Sequence, residues 1–454
     1  MAMSDSETDG LPNPRRRFAM AAILVSISTA TMDGVAINIA LPTLAQDFGL
    51  QASETTMVVS IYQLVIVACL FPIASLSEIL GYRRLYLAGI SVFALAAGLN
   101  GCAVNLEMLV ASRALQGLGA ACVMSVNLAM LAYIVPRHKL SAAIGLNSMA
   151  VALSATLGPT LSGWLLTFAP WNLVVMTGLP FGLIALTIGL FALPESVRSV
   201  RAFDWKSAAL SALTFSMSLL YINSYGYGWP IAVSFGLVVM FIGAGAMLIR
   251  RQRDMDRPLL PLDLLRQPMF SLAAATSVCA FCTQMLAYVA LPFTLQINMG
   301  FKPFEAGLVL SAWPLAVALI SPVAARLAPT AETGWVVATG MGILALGLLL
   351  LALLGPDGGP MDVAYRLAIC GLGFGLFQSP NNRSLMAAAP RSRGSAASST
   401  LSTARLLGQS LGTALAATAL ASSGGGQLSM MAGATVALLG GGLAVLRSLR
   451  YEAH

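Results

Sequence analysis

The chain has 454 residues, of which 57% are hydrophobic and only 9% are charged. An average soluble domain carries roughly 25% charged residues, so this composition excludes an ordinary soluble globular protein. Fourteen membrane helices of about 20 residues each would use about 280 residues, which leaves no room for a separate soluble domain. A net charge of +7 would suggest nucleic-acid binding in a soluble protein, but here the placement of the charges matters more than their sum.

Long apolar runs separated by short polar breaks recur along the chain, and each can cross a hydrocarbon core of about 30 Å as a helix. The first run follows Arg15, Arg16 and Arg17 and is too long for a signal peptide, so we expect an uncleaved first helix. The pattern predicts fourteen transmembrane helices, near residues 18–41, 56–76, 85–104, 108–134, 141–167, 173–193, 207–226, 229–249, 270–296, 305–325, 335–355, 362–386, 396–421 and 428–447.

Basic residues in the polar breaks predict the orientation. With the N-terminus in the cytoplasm, the inner breaks and tails hold 21 Lys and Arg residues, whereas the outer breaks hold Lys302 and Arg366. This asymmetry follows the positive-inside rule and supports an even number of helices. We therefore expect both termini in the cytoplasm.

Two hydrophilic breaks predict the domain organisation. The break at 250–269 divides the helices eight and six, and the break at 194–206 divides them six and eight. Both divisions fit two six-helix bundles with two additional central helices. The predicted units are a cytoplasmic tail (1–17), an N-terminal bundle (18–193), an inserted two-helix linker with cytoplasmic loops (194–269), a C-terminal bundle (270–447) and a cytoplasmic tail (448–454).

Charges inside the predicted helices are few, and each costs at least ~2.5 to 3.5 kcal/mol to insert. Asp33 is the single deep acid, and Arg113 and Arg405 are the deep bases. At 1.5 Å per residue, Asp33 and Arg113 lie about 12 Å and about 8 Å below the outer ends of their helices, so their depths allow pairing. An acid at this depth can load and release a proton; a purely structural ion pair is the alternative.

Other chemistries lack their sequence motifs. The sequence has no G-x-x-x-x-G-K-[ST] loop, which excludes direct ATP coupling. His138 lies in a polar break and His454 is the last residue, so neither belongs to a metal-binding or catalytic constellation. We expect a protein that is not an enzyme and that needs no metal or other cofactor.

Three helix segments carry a resemblance to a known family. Residues 32–42 (MDGVAINIALP) resemble the signature L-D-x-T-x-V-N-x-A-L-P of fourteen-helix drug:proton antiporters of the major facilitator superfamily, the DHA2 type. Asp33, Asn38, Ala40, Leu41 and Pro42 match, and Gly34 departs from the usual Thr-containing segment. Residues 113–121 (RALQGLGAA) match R-x-x-q-G-x-g-a-a at every fixed position. Residues 158–163 (GPTLSG) are similar to G-P-x-x-G-G, with Gly158, Pro159 and Gly163 in place and Ser162 replacing one glycine.

The break after the second helix is similar to the superfamily loop motif G-x-L-a-D-r-x-G-r-r. Residues 74–84 (ASLSEILGYRR) keep Gly81, Arg83 and Arg84, and Glu78 replaces the aspartate. A carboxylate beside two arginines at a cytoplasmic helix end can form a latch that breaks when the halves rock. Ordinary positive-inside anchoring is the alternative for the arginines. The second-half copy of the motif is eroded at 326–329, so any latch is one-sided.

The resemblance, which segments such as 203–205 and 402–408 extend over nearly the whole chain, implies an all-α membrane protein with the major facilitator fold. It implies that Arg113 partners Asp33 in proton transfer, and it associates the 158–163 motif with exporters. The implied partners are a small-molecule substrate, protons and the lipid bilayer, without nucleic acid, and the implied state is a functional monomer. A multi-pass protein of the bacterial cytoplasmic (inner) membrane is expected.

Aromatic and amide side chains within the helices are candidate contacts in a cavity between the halves. They are Tyr62, Gln63, Asn38, Asn127, Gln284, Tyr288, Trp313, Phe377 and Gln378. Helix packing is the alternative for each of them. Apolar walls suit lipophilic ligands, and a single buried acid disfavours a dication.

The predicted function is therefore proton-driven efflux of lipophilic, neutral or monocationic compounds, including multidrug efflux and antibiotic resistance. An exporter of a defined metabolite, amino acid or siderophore is one alternative. A transport-inactive membrane sensor or interaction protein on the same scaffold is the other.

Overall fold

A computed structural model of the protein describes residues 10–136, 139–196, 198, 203–226, 229–253, 255, 262–327, 333–355, 358–388, 394–423 and 426–452. All the regular structure in these ranges is helical. The helices are α1 (Arg15–Phe48), α2 (Ala52–Thr55), α3 (Met57–Leu80), α4 (Tyr82–Gly101), α5 (Leu106–Ile134), α6 (Leu140–Leu165), α7 (Trp171–Met176), α8 (Gly178–Ala192), α9 (Trp205–Gly226), α10 (Ile231–Gln252), α11 (Leu262–Leu265), α12 (Pro268–Phe293), α13 (Pro303–Leu310), α14 (Ala312–Leu327), α15 (Thr333–Ala352), α16 (Pro360–Ala388), α17 (Gly394–Ser423) and α18 (Gln427–Glu452), with a π-helical turn at Thr294–Asn298.

These helices form fourteen long rods in the described part of the chain, because α2 with α3, α7 with α8, and α13 with α14 run on across short breaks. Each rod overlaps one predicted helix. Eleven rods are long and apolar enough to cross a membrane by length and composition. The other three are α9, α17 and α6, and α6 contributes only the shorter apolar stretch Met149–Leu165. The all-helical architecture is confirmed, while fourteen membrane crossings and cytoplasmic termini stay predictions.

The same pairing of helices builds two bundles. In the first, α1 packs on α6 and α8, α5 packs on α3 and α4, and α4 also packs on α8. In the second, α12 packs on α17 and α18, α16 packs on α14 and α15, and α15 also packs on α18. Rod for rod, the second set repeats the first. This repeat is the arrangement in which transporters place a substrate site between two halves.

Glycines set the closest helix contacts at equivalent places in both bundles. A Cβ on Gly119 would lie 2.7 Å from the Gly89 carbonyl oxygen, between α5 and α4. A Cβ on Gly373 would lie 2.6 Å from the Gly340 carbonyl oxygen, between α16 and α15. Small residues let backbones approach this closely where lipid supplies no hydrophobic driving force.

The inserted helices α9 and α10 are central in the sequence but peripheral in space. Helix α9 packs against α3 of the first bundle and α17 of the second, whereas the main packing partner of α10 is α9. Only 17% of the apolar window of α10 is buried. The predicted insertion of two helices between the bundles concerns chain order and stays a prediction; packing at the edge of the bundles was not part of it.

An ion pair fastens this inserted pair at one end. Arg251 at the end of α10 donates to Asp204 at 2.9 Å, and the Ser207 amide donates to the same carboxylate at 3.2 Å. Partial burial alone would raise the pKa of Asp204, but the hydrogen bonds from Ser207 and Arg251 hold it below its ordinary value. The carboxylate therefore stabilises the folded state above the unfolded pKa of about 3.9, and this contribution is lost as the pH falls through the folded pKa.

We expect Asp204→Asn to lower the free energy of unfolding by no more than about 1 kcal/mol at pH 7, since both partners are partly exposed. Thermal unfolding of the detergent-purified protein at pH 7 and near pH 3 measures the effect. The difference between variant and wild type should shrink at the lower pH. An equal deficit at both pH values would show that the substitution acts through packing and not through charge.

Candidate functional site

Asp33 and Arg113 form an ion pair inside the first bundle. Arg113 Nη1 donates to Asp33 Oδ2 at 2.6 Å, and the side chains are 0% and 3% exposed for Arg113 and Asp33. Helix α1 supplies the acid and α5 the base. A buried charge is tolerated only when it is paired and hydrogen-bonded. Here the carboxylate and the guanidinium neutralise each other and share a hydrogen bond.

Gln116 extends the ion pair into a polar network that the sequence analysis did not assign. Its side-chain nitrogen donates to Asp33 Oδ1 at 3.2 Å, and its oxygen accepts from Arg113 and from Asn100, each at 2.7 Å. Ser112 in turn donates to Asn100 at 2.6 Å. The signal in the sequence was the spacing, because Gln116 follows Arg113 by three residues and so shares its helix face.

Tyr62 completes the enclosure of the guanidinium. The Arg113 Cζ atom lies 4.4 Å from the centre of the Tyr62 ring, within cation–π range. The Tyr62 hydroxyl donates to the Ala30 carbonyl oxygen at 3.3 Å, and Arg113 Nε donates to the Val58 carbonyl oxygen at 3.4 Å. Tyr62, predicted as a substrate contact, therefore belongs to the wall of the ion pair.

We expect Gln116→Leu to destabilise the protein by about 1–3 kcal/mol, because a leucine of similar size leaves polar groups on Asp33, Arg113 and Asn100 without their partner. Thermal unfolding in detergent measures the loss. Leu118→Ala is the matched control, since Leu118 lies on the same helix and is exposed in the isolated protein. Equal stability of Gln116→Leu and wild type would mean that the network contributes little to folding.

The two bundles close against each other at one end. We name the end where α1 begins and α18 ends the terminal end, and the opposite one the far end. At the far end, Thr160 on α6 bonds Ser311 between α13 and α14, with 2.6 Å between the hydroxyl oxygens. Ser311 also donates to the Thr156 carbonyl oxygen at 2.8 Å. Gln296 donates to the Ile39 carbonyl oxygen at 3.0 Å.

The segment 158–163 lies in this closure. A Cβ on Gly163 would overlap the Pro303 carbonyl oxygen and lie 2.9 Å from Phe304 Cα. Gly307 of the second bundle faces the Pro159 carbonyl oxygen in the same way. One glycine from each bundle thus removes the side chain that would hold the two backbones apart.

A small cavity of about 10 Å³, room for about one water molecule, lies at the seam beneath this closure. Its lining residues are Val35, Asn38, Ile39, Pro159, Tyr288 and Leu310. In the described part of the chain, the Asn38 amide, the Tyr288 hydroxyl and the Trp313 indole nitrogen have no hydrogen-bond partner although all are buried. Buried polar groups normally find partners, so these three are candidates for meeting a ligand.

Aromatic rings continue from this cavity into the second bundle. The Trp313 ring lies 5.5 Å from that of Tyr288 and 6.2 Å from that of Phe374, both measured between ring centres. Phe374 meets Phe377 at 5.5 Å. Of the predicted substrate contacts, Asn38, Tyr288 and Trp313 come together, and Phe377 lies behind them as a fully buried core residue.

The remaining predicted contacts lie elsewhere. Gln63 accepts a hydrogen bond from Thr413 across the seam at 3.1 Å, and Asn127 donates to Asn147 at 3.1 Å inside the first bundle. Gln284 and Gln378 are partly buried. Polar residue type alone therefore did not separate ligand-facing side chains from those that join helices.

The loop motif makes a different ion pair from the predicted one. Arg83 approaches Glu195 at 3.6 Å and donates to the Leu190 carbonyl oxygen at 2.6 Å. Glu78 is exposed and makes no ion pair with the described residues. In the described conformation Arg83 thus reaches the end of α8 in the same bundle, and the predicted latch with Glu78 stays a prediction.

Gly81 makes that contact possible. Its φ of 95° lies in the region that favours glycine, and the next residue, Tyr82, donates its amide to the Ser196 hydroxyl at 2.7 Å. Part of the second-half copy, 328–329, lies outside the described residues. A gating role for the motif stays a prediction.

A third interior base escaped the sequence analysis. Arg447 on α18 is 2% exposed and donates to Asn381 on α16 at 2.7 Å. Asn381 in turn donates to Ser277 on α12 at 2.9 Å. Its position near a predicted helix end suggested a surface anchor, but packing of three helices covers it.

Metal ligands do not cluster in the described ranges, where no group of three His, Cys, Asp or Glu side chains could hold an ion. His138 and His454, which the sequence analysis considered, lie outside the described residues.

Three curated relatives align over most of the chain. An uncharacterized transporter of Escherichia coli K12, YebQ, is 40% identical over 449 residues and covers 98% of both chains. The riboflavin transporter RibZ of Clostridioides difficile strain 630 is 29% identical over 86% of this chain and 85% of its own. The multidrug resistance protein Stp of Mycobacterium tuberculosis is 30% identical over 86% of this chain and 73% of its own.

Solved structures show the same fold at low sequence identity. A bacterial homologue of the human lysosomal transporter Spinster, in an inward-facing and unoccupied conformation, matches with a TM-score of 0.69 at 14% identity, over 98% of this chain and 99% of that one. A POT family transporter in complex with a thioalcohol-conjugated peptide matches with a TM-score of 0.72 at 13% identity, over 95% and 96% of the two chains.

The family profile described as Major Facilitator Superfamily matches residues 22–413 and, in a second match, 272–453. With two repeated bundles closed at one end and a relative 40% identical along its whole length, the chain is a multi-pass membrane transporter that belongs to the major facilitator superfamily.

Proposed function

We propose that the protein is a proton-coupled exporter, in which a proton entering through Asp33 drives a lipophilic small molecule outward. The observation that carries this proposal is the buried carboxylate of Asp33, held by Arg113 and Gln116 inside the first bundle. Intramembrane acids mark proton pathways in transporters. The proposed setting is the bacterial inner membrane, with both termini in the cytoplasm and the monomer as the working unit.

The hydrogen bonds of Asp33 fit the proton-free state of the proposed cycle. Both Asp33 oxygens accept hydrogen bonds, one from Arg113 and one from Gln116, and a protonated carboxyl would have to donate from one of them. A movement of α1 relative to α5 would withdraw these donors. The isolated carboxylate would then be costly in the membrane interior and would take up a proton.

Alternating access supplies such a movement. In the described conformation the bundles meet at the far end through Gly163, Gly307 and the Thr160–Ser311 bond. Rocking of one bundle against the other around a fixed central site would open this end and close the terminal end. Antiport requires that proton binding and substrate binding favour different conformations, one open at the far end and the other open at the terminal end.

The chemical class of the substrate is inferred from the residues around the cavity and from the relatives. The aromatic wall of Tyr288, Trp313 and Phe374 suits a lipophilic ring system, and multidrug resistance proteins are among the relatives. A single buried acid makes a neutral or monocationic compound the expectation from the sequence.

A second candidate function is export of one defined metabolite, such as an amino acid or a siderophore. The unpartnered polar groups of Asn38, Tyr288 and Trp313 favour it, because a site that must satisfy specific donors and acceptors discriminates between substrates. A relative named as a riboflavin transporter fits the same reading. The intact Asp33–Arg113 pair argues against a transport-inactive sensor.

The test is proton movement in proteoliposomes that contain an internal pH dye. Adding a panel of lipophilic cations, neutral drugs and polar metabolites should evoke a proton flux with at least one class. The class that works separates multidrug from metabolite export. No flux with any compound, from protein shown to be folded, would reject proton-coupled export.

A further inference from the structure

Helix α17 presents a polar, partly exposed stripe toward the seam between the bundles. Ser402, Arg405 and Gln409 are spaced by three and four residues, so they share one face of the helix, and all three are partly buried. The remaining partly exposed face of this helix is apolar, with Leu407, Leu411 and Leu415. An apolar face suits contact with lipid, whereas a polar face needs water or a ligand.

The contacts on either side of the stripe locate it. Gly408 lies against the Val278 carbonyl oxygen of α12, where a Cβ would be 2.5 Å away. Leu406 belongs to the buried cluster of the first bundle, and Thr413 bonds Gln63 of α3 at 3.1 Å. On the helical wheel, Arg405 falls between the direction of α12 and the direction of α3. The stripe therefore faces the cleft between the two bundles.

The same stripe is sealed toward the far end. Thr413, Ala416 and Leu420 continue the line of Gln409 and are all buried. Exposure thus begins on the terminal side of Thr413, so the cleft opens toward the terminal end. Under the proposed orientation, Arg405 lies on the path by which a cytoplasmic molecule enters.

Arg405 makes no hydrogen bond or ion pair with another described residue, and it lies eleven residues into α17, about 16 Å along the axis. Asp33, the single deep acid, is already paired with Arg113. A guanidinium inside a membrane protein without a counter-charge marks a substrate or ion pathway.

A second interior base adds to the positive charge of this bundle. Arg447 on α18 is hydrogen-bonded to the Asn381 amide, and none of the ion pairs among the described residues involves it. The Asp33–Arg113 pair is neutral as a whole. Cation-lined clefts with low-dielectric walls concentrate anions.

We propose that Arg405 binds a carboxylate of the transported molecule, so the substrate is a lipophilic organic acid. This inference rests on the proposed function, because it takes the cleft as the transport path. Guanidinium and carboxylate match in a bidentate geometry. The sequence analysis predicted a neutral or monocationic substrate because it considered the buried acid Asp33 alone. With Arg405 included, we expect an anionic substrate instead.

The test compares two probes that differ in charge but hardly in shape, 2-naphthoate and 2-naphthamide. Equilibrium binding to the purified full-length protein is measured by calorimetry in detergent. Wild type should bind 2-naphthoate roughly tenfold more tightly than 2-naphthamide, a difference typical of one charged hydrogen bond. Arg405→Gln should remove that preference, whereas Arg405→Lys should keep part of it.

Equal affinities of the wild type for the two probes, binding of neither, or an unchanged preference in Arg405→Gln would overturn the proposal. If Arg405→Gln does not fold, Arg405→Lys and the wild-type comparison still decide. Binding in detergent needs no proton gradient, so a failed antiport assay with an intact charge preference would reject proton coupling alone.

Discussion

Asp33→Asn is expected to abolish proton-driven export while leaving the substrate site in place. Asparagine keeps the shape and hydrogen-bonding reach of the side chain but cannot carry a titrating proton. Substrate-evoked acidification or alkalinisation in proteoliposomes should fall to background, and binding of the substrate in detergent should persist. A wild-type rate of proton-dependent efflux from Asp33→Asn at normal expression would remove Asp33 from the coupling mechanism.

The single substitution leaves the Arg113 guanidinium buried without its acid, which costs about 3–5 kcal/mol in comparable pairs. A matched double variant, Asp33→Asn with Arg113→Gln, removes both charges and should recover much of that loss. Thermal unfolding distinguishes the two variants. If a stably folded double variant shows no proton-coupled transport, the loss is due to the missing carboxyl group and not to a damaged fold.

Locking the far end should stop transport with an equally large effect. The hydroxyl oxygens of Thr160 and Ser311 are 2.6 Å apart, so short side chains at these two positions meet across the closure. Thr160→Cys with Ser311→Cys should therefore form a disulfide under oxidising conditions and hold the far end closed. We expect flux to fall by roughly tenfold or more on oxidation, because opening of this end is an obligatory step, and to recover with a reductant.

The single variants serve as controls and should show no redox dependence. The exposed Cys102 is replaced with serine in every variant, so that disulfides between molecules do not confuse the readout. Full transport by an oxidised, demonstrably cross-linked double variant would mean that α6 and α13 do not separate during the cycle. The alternating-access role proposed for the 158–163 segment would then be wrong.

Depth and periodicity in the sequence anticipated the central ion pair. Apolar length marked every rod, and counting residues placed Asp33 and Arg113 at similar depths in neighbouring helices. A charge in hydrocarbon is so costly that its partner is strongly constrained. The sequence did not single out Gln116, because burying an uncharged amide in the membrane costs less free energy than burying a charge. Other amides inside the helices simply join two helices, as Asn127 does with Asn147.

The sequence did not predict the contacts at the protein surface or at the seam between the bundles. Arg83 could meet Glu78 or Glu195 at similar cost in a solvated loop, and in the structure it lies 3.6 Å from Glu195. Arg447 looked like an anchor at a helix end until three packed helices covered it. The place of α9 and α10 depended on their fit against α3 and α17.

The sequence by itself determined that the chain is a helical membrane protein, which residues fill its rods and that a single acid, Asp33, lies deep within one of them. The bilayer enforces these features, because every buried backbone group must be satisfied within a helix and every deep charge is expensive. Only the tertiary structure decided which polar groups meet across the bundles and which remain unpaired at the seam. Those contacts depend on how two separate helix faces are oriented, and no spacing along one chain segment encodes that orientation.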